Sequence, residues 1–322
     1  METRFTELVG CRAPLQLAGM GEVGTPELAA AVSGAGGLGM IGVGGDPLVQ
    51  RLDALERLGR PPWGVNFLGP FLDVSELELA AARSRVIEIF WREPDAALVG
   101  RIHSAGALAS WQVGSLGEAR AAAEVGCDMV VAQGVEAGGH VRGTVPLLAL
   151  LDAVLGAIGE STVVVASGGI GSARSVAAAL AAGADAVRVG TRFVASAESR
   201  AHPEYKRALV DAAAGETVLS DEYGRETGWP DAPNRVLRRA YERAAAAEPM
   251  VGRMHLPGRD EPVPIPRFSP LPPTDACEGE ITAMALYAGE SVGAVRDVRP
   301  AAEIVRELLE GAEASLRSAR RR

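Results

Sequence analysis

Short apolar runs alternate with amphipathic, alanine-rich stretches between residues 15 and 200. Each run is four to seven residues long, which suits a buried strand, and each intervening stretch is long enough for a helix. The stretch after Thr25 is typical, because Thr25 is a favourable N-cap and Pro26 suits the first helical position. The eight predicted strands are 15–18, 38–43, 63–67, 86–91, 107–113, 129–132, 162–166 and 184–189.

Strands that alternate with helices form a parallel sheet, and eight such units favour closure into a barrel. The sequence therefore predicts an α/β fold, a (β/α)8 TIM barrel. Residues 201–299 are irregular and proline-rich apart from one predicted helix at 236–247, so we expect a small inserted lid or second domain after strand eight. An amphipathic stretch at 300–316 would supply the eighth barrel helix, so the barrel comprises 1–200 plus 300–322.

The loop after the sixth predicted strand holds a dense group of glycine and polar residues. Residues 130–144 read VVAQGVEAGGHVRGT, in which His140 lies among four glycines. An imidazole suits proton transfer near neutral pH, and glycines let the backbone approach a ligand closely. An incidental histidine on a surface loop is the plain alternative. Glu136 is more typical of an acceptor that stabilises the loop than of a second base.

Similar residues follow other predicted strands. In a parallel barrel the carboxyl ends of the strands form one rim, where active sites are built. Backbone N–H groups of the Gly-Gly pair after strand seven and of the Gly-Thr pair after strand eight would suit a phosphate, although each pair alone is also compatible with an ordinary tight turn. The rim candidates are Met20, Asn66, Gln133, His140, Gly168, Gly169, Gly190 and Thr191.

Charge and composition exclude several classes of function. The net charge of −9 argues against nucleic acid or an anionic membrane as the main partner. No apolar run approaches the length that spans a bilayer, and the N-terminal residues lack a signal-peptide pattern, so we expect a cytoplasmic protein. Cys11, Cys127 and Cys277 are far apart, which indicates neither a disulfide framework nor a metal site.

Several blocks carry a family resemblance. The segment QGVEAGGHVRG at 133–143 resembles a signature of the nitronate monooxygenase family, formerly called 2-nitropropane dioxygenases, which are FMN-dependent TIM-barrel enzymes. Further blocks appear in the family's order: TPELAAAVSGAGGLGMIGVG at 25–44, WGVNFL at 63–68, QVGS at 112–115, ASGGIG at 166–171, RVGTRF at 188–193 and YAGESVG from 287.

The resemblance implies a function and a set of site residues. It implies oxidation of a small-molecule alkyl nitronate with O2 to a carbonyl compound and nitrite, with His140 as catalytic base. The residues that it places around FMN are Met20, Asn66, Gln133, Gly138, Gly139, Ser167, Gly168, Gly169, Arg188, Val189, Gly190 and Thr191. The first block, LQLAGMGEVG, departs from the family pattern near Met20. Arg188 stands where the family often has glutamine, and it would either add charge to the phosphate site or point away.

Two alternatives stay open at this point. FMN-dependent reductases of enoyl thioesters or quinones, which use NAD(P)H, share the same blocks. A flavin-binding barrel without turnover, acting as a carrier or subunit, is the third hypothesis. The few aromatic residues that could line a pocket are Trp91, Trp111, Trp229 and Tyr287. A homodimer is open alongside a monomer.

Overall fold

The computed structural model describes residues 1–59, 62–226, 229, 231–256, 259 and 261–319. The strands are β1 Leu15–Leu17, β2 Gly39–Gly42, β3 Trp63–Leu68, β4 Val86–Phe90, β5 Leu108–Val113, β6 Met129–Gln133, β7 Gly139–His140, β8 Val163–Ser167, β9 Ala186–Val189, β10 Thr217–Ser220, β11 Asn234–Leu237, β12 Met250–Met254, β13 Val263–Pro266 and β14 Cys277–Gly279. The helices are α1 Arg4–Val9, α2 Pro26–Gly34, α3 Leu48–Leu58, α4 Val74–Arg83, α5 Ala96–Ser104, α6 Leu116–Glu124, α7 Leu147–Ile158, α8 Ala173–Ala181, α9 Thr191–Val194, α10 Pro203–Val210, α11 Arg238–Ala246 and α12 Ala301–Ala319. Within the described ranges, no helix combines the length and apolar character needed to cross a bilayer.

Eight parallel strands form the barrel, in the order β1-β9-β8-β6-β5-β4-β3-β2. A parallel bridge between Gln16 and Leu38 joins β1 to the chain just before β2, and the N–H of Leu17 donates to the carbonyl of Leu38 at 2.9 Å. This bridge closes the sheet. The predicted eight-stranded barrel is therefore confirmed, with strand ends that differ by a few residues from those predicted.

Helices pack around the barrel because their apolar faces and the outer faces of the strands exclude water together. Their starts follow local capping chemistry: the hydroxyls of Thr25 and Ser115 accept from backbone N–H groups in the first turns of α2 and α6. Helix α12 packs against α8 and α2 through Ile304, Val305 and Leu308. The C-terminal helix thus completes the outer layer, as its amphipathic pattern predicted.

The region 201–299 is more regular than the sequence indicated. It contains α10, α11 and five short strands, and these strands contribute to two three-stranded sheets. The predicted helix at 236–247 was wrong at its start, because β11 continues through Leu237 and α11 begins at Arg238. Strand β11 lies between β10 and β7, so pairing on both sides outweighs the helical pattern of the following residues.

Candidate active site

A cavity of about 310 Å³ opens at the carboxyl ends of the barrel strands. This size is at the lower end of the range for small-molecule sites. All eight barrel strands contribute to its lining, either through residues near their carboxyl ends or through the loops that follow them. Pro270, Leu271, Pro272 and Tyr287 from outside the barrel also line it.

The cavity brings together nearly all of the residues that the sequence singled out. Those that line it are Met20, Asn66, Gln133, Gly138, Gly139, His140, Ser167, Gly168, Gly169, Arg188, Gly190 and Thr191. Val189 does not line the cavity, because its side chain is wholly buried in the hydrophobic core and its carbonyl accepts from Ala18 at 2.9 Å. The expectation that Val189 belongs to the site therefore has no support in the geometry.

His140 is held in one orientation by backbone contacts. His140 is part of β7, which pairs antiparallel with β11. The Nε2 of Gln133 donates to the His140 carbonyl at 2.9 Å. The imidazole Nδ1 lies 3.2 Å from the carbonyl oxygen of Ala232. Because a carbonyl only accepts hydrogen bonds, this contact assigns the proton to Nδ1 and leaves the lone pair of Nε2 free to accept a proton.

An aromatic cluster packs around this imidazole. The Trp229 ring lies 4.0 Å from the His140 ring, centroid to centroid, at an interplanar angle of 34°. Trp91 approaches edge-on at 5.9 Å, and Tyr287 lies at 6.1 Å. Burial among these rings lowers the pKa of His140 to about 4, although the hydrogen bond to Ala232 opposes the shift. The imidazole is therefore neutral at pH 7, the state that a base requires.

Trp91, one of the rings around His140, has a strained backbone and packs against Arg142. Trp91 follows β4 with φ of 63°, one of two non-glycine residues in the described chain with positive φ. Such a backbone conformation costs about 1–3 kcal/mol and occurs preferentially at functional sites. The Arg142 guanidinium lies over the Trp91 ring at 5.6 Å and forms ion pairs with Glu93 and Glu118. These contacts hold Trp91 in its strained position next to His140.

The glycine-rich loop is anchored at both ends. Both carboxylate oxygens of Glu136 accept from the N–H of Leu147 at 3.0 Å, so Glu136 stabilises the start of α7, as expected for a loop acceptor. At Gly138 an added Cβ would lie 2.5 Å from the backbone nitrogen of Gly289, so only glycine fits there. These contacts fix the path of the backbone that positions His140.

Two backbone segments offer donors at another part of the cavity. Gly168 and Gly169 have φ values of 110° and 67°, which favour glycine. In the part of the chain that the structure describes, the N–H groups of these two residues, of Gly190 and of Thr191 have no hydrogen-bond partner. Clustered free N–H groups of this kind form an anion-binding concavity. The phosphate site expected from the sequence stays a prediction for these residues.

Arg188 points into the barrel, away from these glycines. Its Nη1 lies 2.9 Å from Oε1 of Glu88 and donates to the side-chain oxygen of Gln112. Two orientations were considered for Arg188, one toward the expected phosphate site and one away from it. The structure has the second orientation, in which the side chain contacts Glu88 and Gln112. The sequence reasoning missed Glu88, although an acidic residue in the centre of an apolar strand, VIEIF, is a signal for a buried charge with a partner.

Other candidates lie apart from the cavity. Trp111 is buried, and its Nε1 donates to the carbonyl of Arg92 at 2.7 Å. All three cysteines are free thiols, and burial raises the pKa of Cys127 to about 12. Over the described ranges, no group of three or more His, Cys, Asp or Glu side chains is placed to hold a metal ion.

Comparison with known proteins identifies the family. The family model for nitronate monooxygenase matches residues 2–86 and 71–311. The chain belongs to the nitronate monooxygenase family. Flavoprotein character follows from this membership, and the family resemblance of the sequence blocks is confirmed.

Relatives and structural neighbours of this chain are named for different activities. A nitronate monooxygenase of Pseudomonas aeruginosa is 31% identical, covering 96% of this chain and 99% of the relative. An octahydro-1H-indene-4-carboxyl-CoA dehydrogenase of Mycobacterium tuberculosis is 33% identical over 74% of this chain, which spans 66% of that relative's length. The solved structure of nitroalkane oxidase from Streptomyces ansochromogenes has a TM-score of 0.75 and 31% identity, covering 97% of this chain and 99% of that one.

Proposed function

We propose that this member of the nitronate monooxygenase family is an FMN-dependent oxidoreductase that oxidises alkyl nitronates with O2 to a carbonyl compound and nitrite. The observation that carries the proposal is the neutral His140 imidazole, whose free Nε2 lies on the same cavity as the partnerless N–H groups near Gly168 and Thr191. The full-length relative from Pseudomonas aeruginosa supports the choice of substrate.

The residues present fit FMN as the flavin. The free N–H groups of Gly168, Gly169, Gly190 and Thr191 would hold its phosphate. Asn66 and Gln133 line the cavity with side chains that can both donate and accept, as the polar edge of a flavin ring requires. Bound FMN would supply the electron acceptance and the reaction with O2, which no amino-acid side chain in the cavity can provide.

His140 is the residue that moves a proton. Its Nδ1–H stays with the Ala232 carbonyl, so Nε2 is the nitrogen that accepts a proton. An alkyl nitronate has already lost the proton from the carbon beside its nitro group, so Nε2 takes up this proton when the neutral nitroalkane enters the cavity and becomes the nitronate there. The low pKa keeps this nitrogen unprotonated throughout the neutral range. The apolar faces of Trp91 and Trp229 keep water from the imidazole.

We further propose that region 201–299 contributes the substrate-facing wall, as the inserted lid or second domain predicted from the sequence. Two tyrosines support this role: Tyr205 donates to the carbonyl of Tyr287 at 2.6 Å, and Tyr287 donates to that of Pro270 at 2.6 Å. These bonds hold the 270–272 segment against the cavity. The homodimer considered for the chain stays a prediction, to be checked by analytical ultracentrifugation.

The test compares His140→Ala and His140→Asn with the wild type, using oxygen consumption with a neutral nitroalkane and, in parallel, with its nitronate. We expect both variants to retain bound FMN and to lose roughly 10²–10⁴-fold in rate with the nitroalkane, the usual contribution of a general base, and to lose less with the nitronate, which needs no proton removed. Retained FMN with an unchanged rate would remove His140 from the mechanism. Loss of activity with FMN retained would also exclude the non-catalytic flavin-binding barrel.

A second candidate substrate is a CoA thioester, processed by a flavin oxidoreductase of this fold. The octahydro-1H-indene-4-carboxyl-CoA dehydrogenase relative from Mycobacterium tuberculosis favours it. The reductase hypothesis predicts that NADH or NADPH bleaches bound FMN rapidly without oxygen, and that an enoyl-CoA then restores the oxidised spectrum. Absence of bleaching by either nucleotide excludes this reductase hypothesis.

A further inference from the structure

A network of polar side chains crosses the interior of the barrel below the cavity. The carboxylate of Glu88 on β4 accepts from Nε2 of Gln16 at 2.7 Å, from Nδ2 of Asn66 at 2.8 Å and from Nη1 of Arg188 at 2.9 Å. Arg188 also donates to Gln112. Side chains from five different strands thus form one network, in which three of them contact the Glu88 carboxylate directly and Gln112 contacts Arg188.

This network is costly to bury. The exposed fraction is 0% for the Glu88 side chain and 5% for that of Arg188. A buried ion pair often stabilises a fold no better than packed apolar residues of the same volume would, and barrel interiors are usually filled by branched apolar residues. Fold stability alone therefore does not account for these two charges.

The hydrogen bonds of the network are also incomplete. Nε of Arg188, Oε1 of Gln16 and Oγ of Ser110 are buried and have no partner within the described chain. Arg188 lines the cavity, whereas Glu88 lies wholly buried beside it. A buried guanidinium whose donors are only partly satisfied, on a residue that lines a ligand cavity, is a group whose hydrogen bonds a ligand can complete.

We propose that Arg188, held in place by Glu88, donates to the polar edge of the flavin ring and sets the reduction potential of the bound cofactor. This inference rests on the proposed binding of FMN. A flavin gains negative charge on its pyrimidine ring when it is reduced, so a fixed positive charge beside that ring favours the reduced state. Glu88 has two effects: it orients Arg188 and it partly offsets the positive charge.

These opposite charges predict changes of opposite sign in two variants. Arg188→Gln removes the positive charge and leaves that of Glu88, so the reduction potential falls. Glu88→Gln removes the offsetting charge while its side-chain oxygen still accepts from Arg188, so the potential rises. We expect each variant to change the equilibrium constant for two-electron reduction by about tenfold, which corresponds to about 30 mV.

The experiment is an anaerobic reductive titration of the FMN-loaded protein against a reference dye, with the dissociation constant of FMN measured in parallel. Arg4→Gln is the matched control, because Arg4 pairs with Asp185 at 2.7 Å and does not line the cavity. We expect the control to keep the wild-type potential. A purely structural role for the pair would alter FMN affinity or folding without moving the two potentials in opposite directions.

The outcomes separate this inference from the proposed function. FMN that binds to all three variants with unchanged potentials, or with potentials that move in the same direction, overturns the role of Arg188 and leaves the proposed function standing. Failure of the wild-type protein to bind FMN overturns both. Should Arg188→Gln not fold, the Glu88→Gln variant is judged alone, and an unchanged or lowered potential there overturns the role of Arg188.

Discussion

Replacing Trp229 with alanine should raise the pKa of His140. The pKa is lowered from 6.5 to about 4, mainly because the imidazole is buried, and the difference corresponds to about 3 kcal/mol. Trp229 lies closest of the aromatic rings, with its centroid 4.0 Å from that of the imidazole. Its removal admits water to one ring face and should bring the pKa of His140 to roughly 5–6.5.

The lowered pKa of His140 also makes the free energy of unfolding depend on pH. The unfolded state binds a proton near pH 6.5 and the folded state only near pH 4, so His140 lowers the free energy of unfolding progressively as the pH falls between these values. Above pH 6.5 this loss is absent. The Trp229→Ala variant should therefore show a smaller loss across that range than the wild type.

Histidine NMR titration measures this pKa directly. The chain has four histidines, so His140→Asn assigns the resonance by its disappearance. His103, whose side chain is 42% exposed, is an internal control that should not respond to Trp229→Ala. A wild-type pKa near 6.5, or a low value that Trp229→Ala leaves unchanged, would refute the role given to the aromatic cluster.

Two further substitutions test the backbone around the site. Glu136→Ala should lower the free energy of unfolding by about 1 kcal/mol, because the N–H of Leu147 in α7 loses its acceptor. Glu136→Gln keeps an acceptor oxygen, so its free energy of unfolding should fall by less. Equal losses for the two variants in urea unfolding would contradict this role of Glu136. Gly168→Ala should weaken FMN binding and destabilise the fold by about 1–3 kcal/mol, because φ is 110° and the new Cβ would lie 2.9 Å from the Gly134 carbonyl. Gly156→Ala in α7 is its control, since an added Cβ there meets no atom within 4 Å, and equal effects of the two changes would count against the strained turn.

Local sequence patterns were sufficient to predict the barrel and most of the residues that line the cavity at its rim. Strand length, helix caps, the Gly-Gly pair at 168–169 and the Gly-Thr pair at 190–191 are properties of short segments, so the sequence alone indicated them. Parallel topology then places all strand ends on one rim, which explains why Asn66 and His140 could be assigned to one site. Val189 was included because it lies in the same block as lining residues, whereas its side chain faces the core.

Long-range contacts set the features that the sequence did not reveal. The partner of Arg188 is Glu88, 100 positions earlier in the chain, and no local pattern indicates that these side chains meet. The contact of Trp229 with His140 depends on the pairing of β11 with β7, which joins the region after the barrel to the glycine-rich loop. The same pairing explains why the first two residues of the helix predicted at 236–247 belong instead to β11, which ends at Leu237.

The most direct test of the proposed function is anaerobic mixing of the purified, FMN-loaded protein with an alkyl nitronate, followed by its absorbance spectrum. We expect the nitronate alone to bleach the flavin band, with no NAD(P)H present, and the admission of O2 to restore the band as nitrite forms. A band that the nitronate leaves unchanged and NADPH bleaches would contradict the account and identify a reductase.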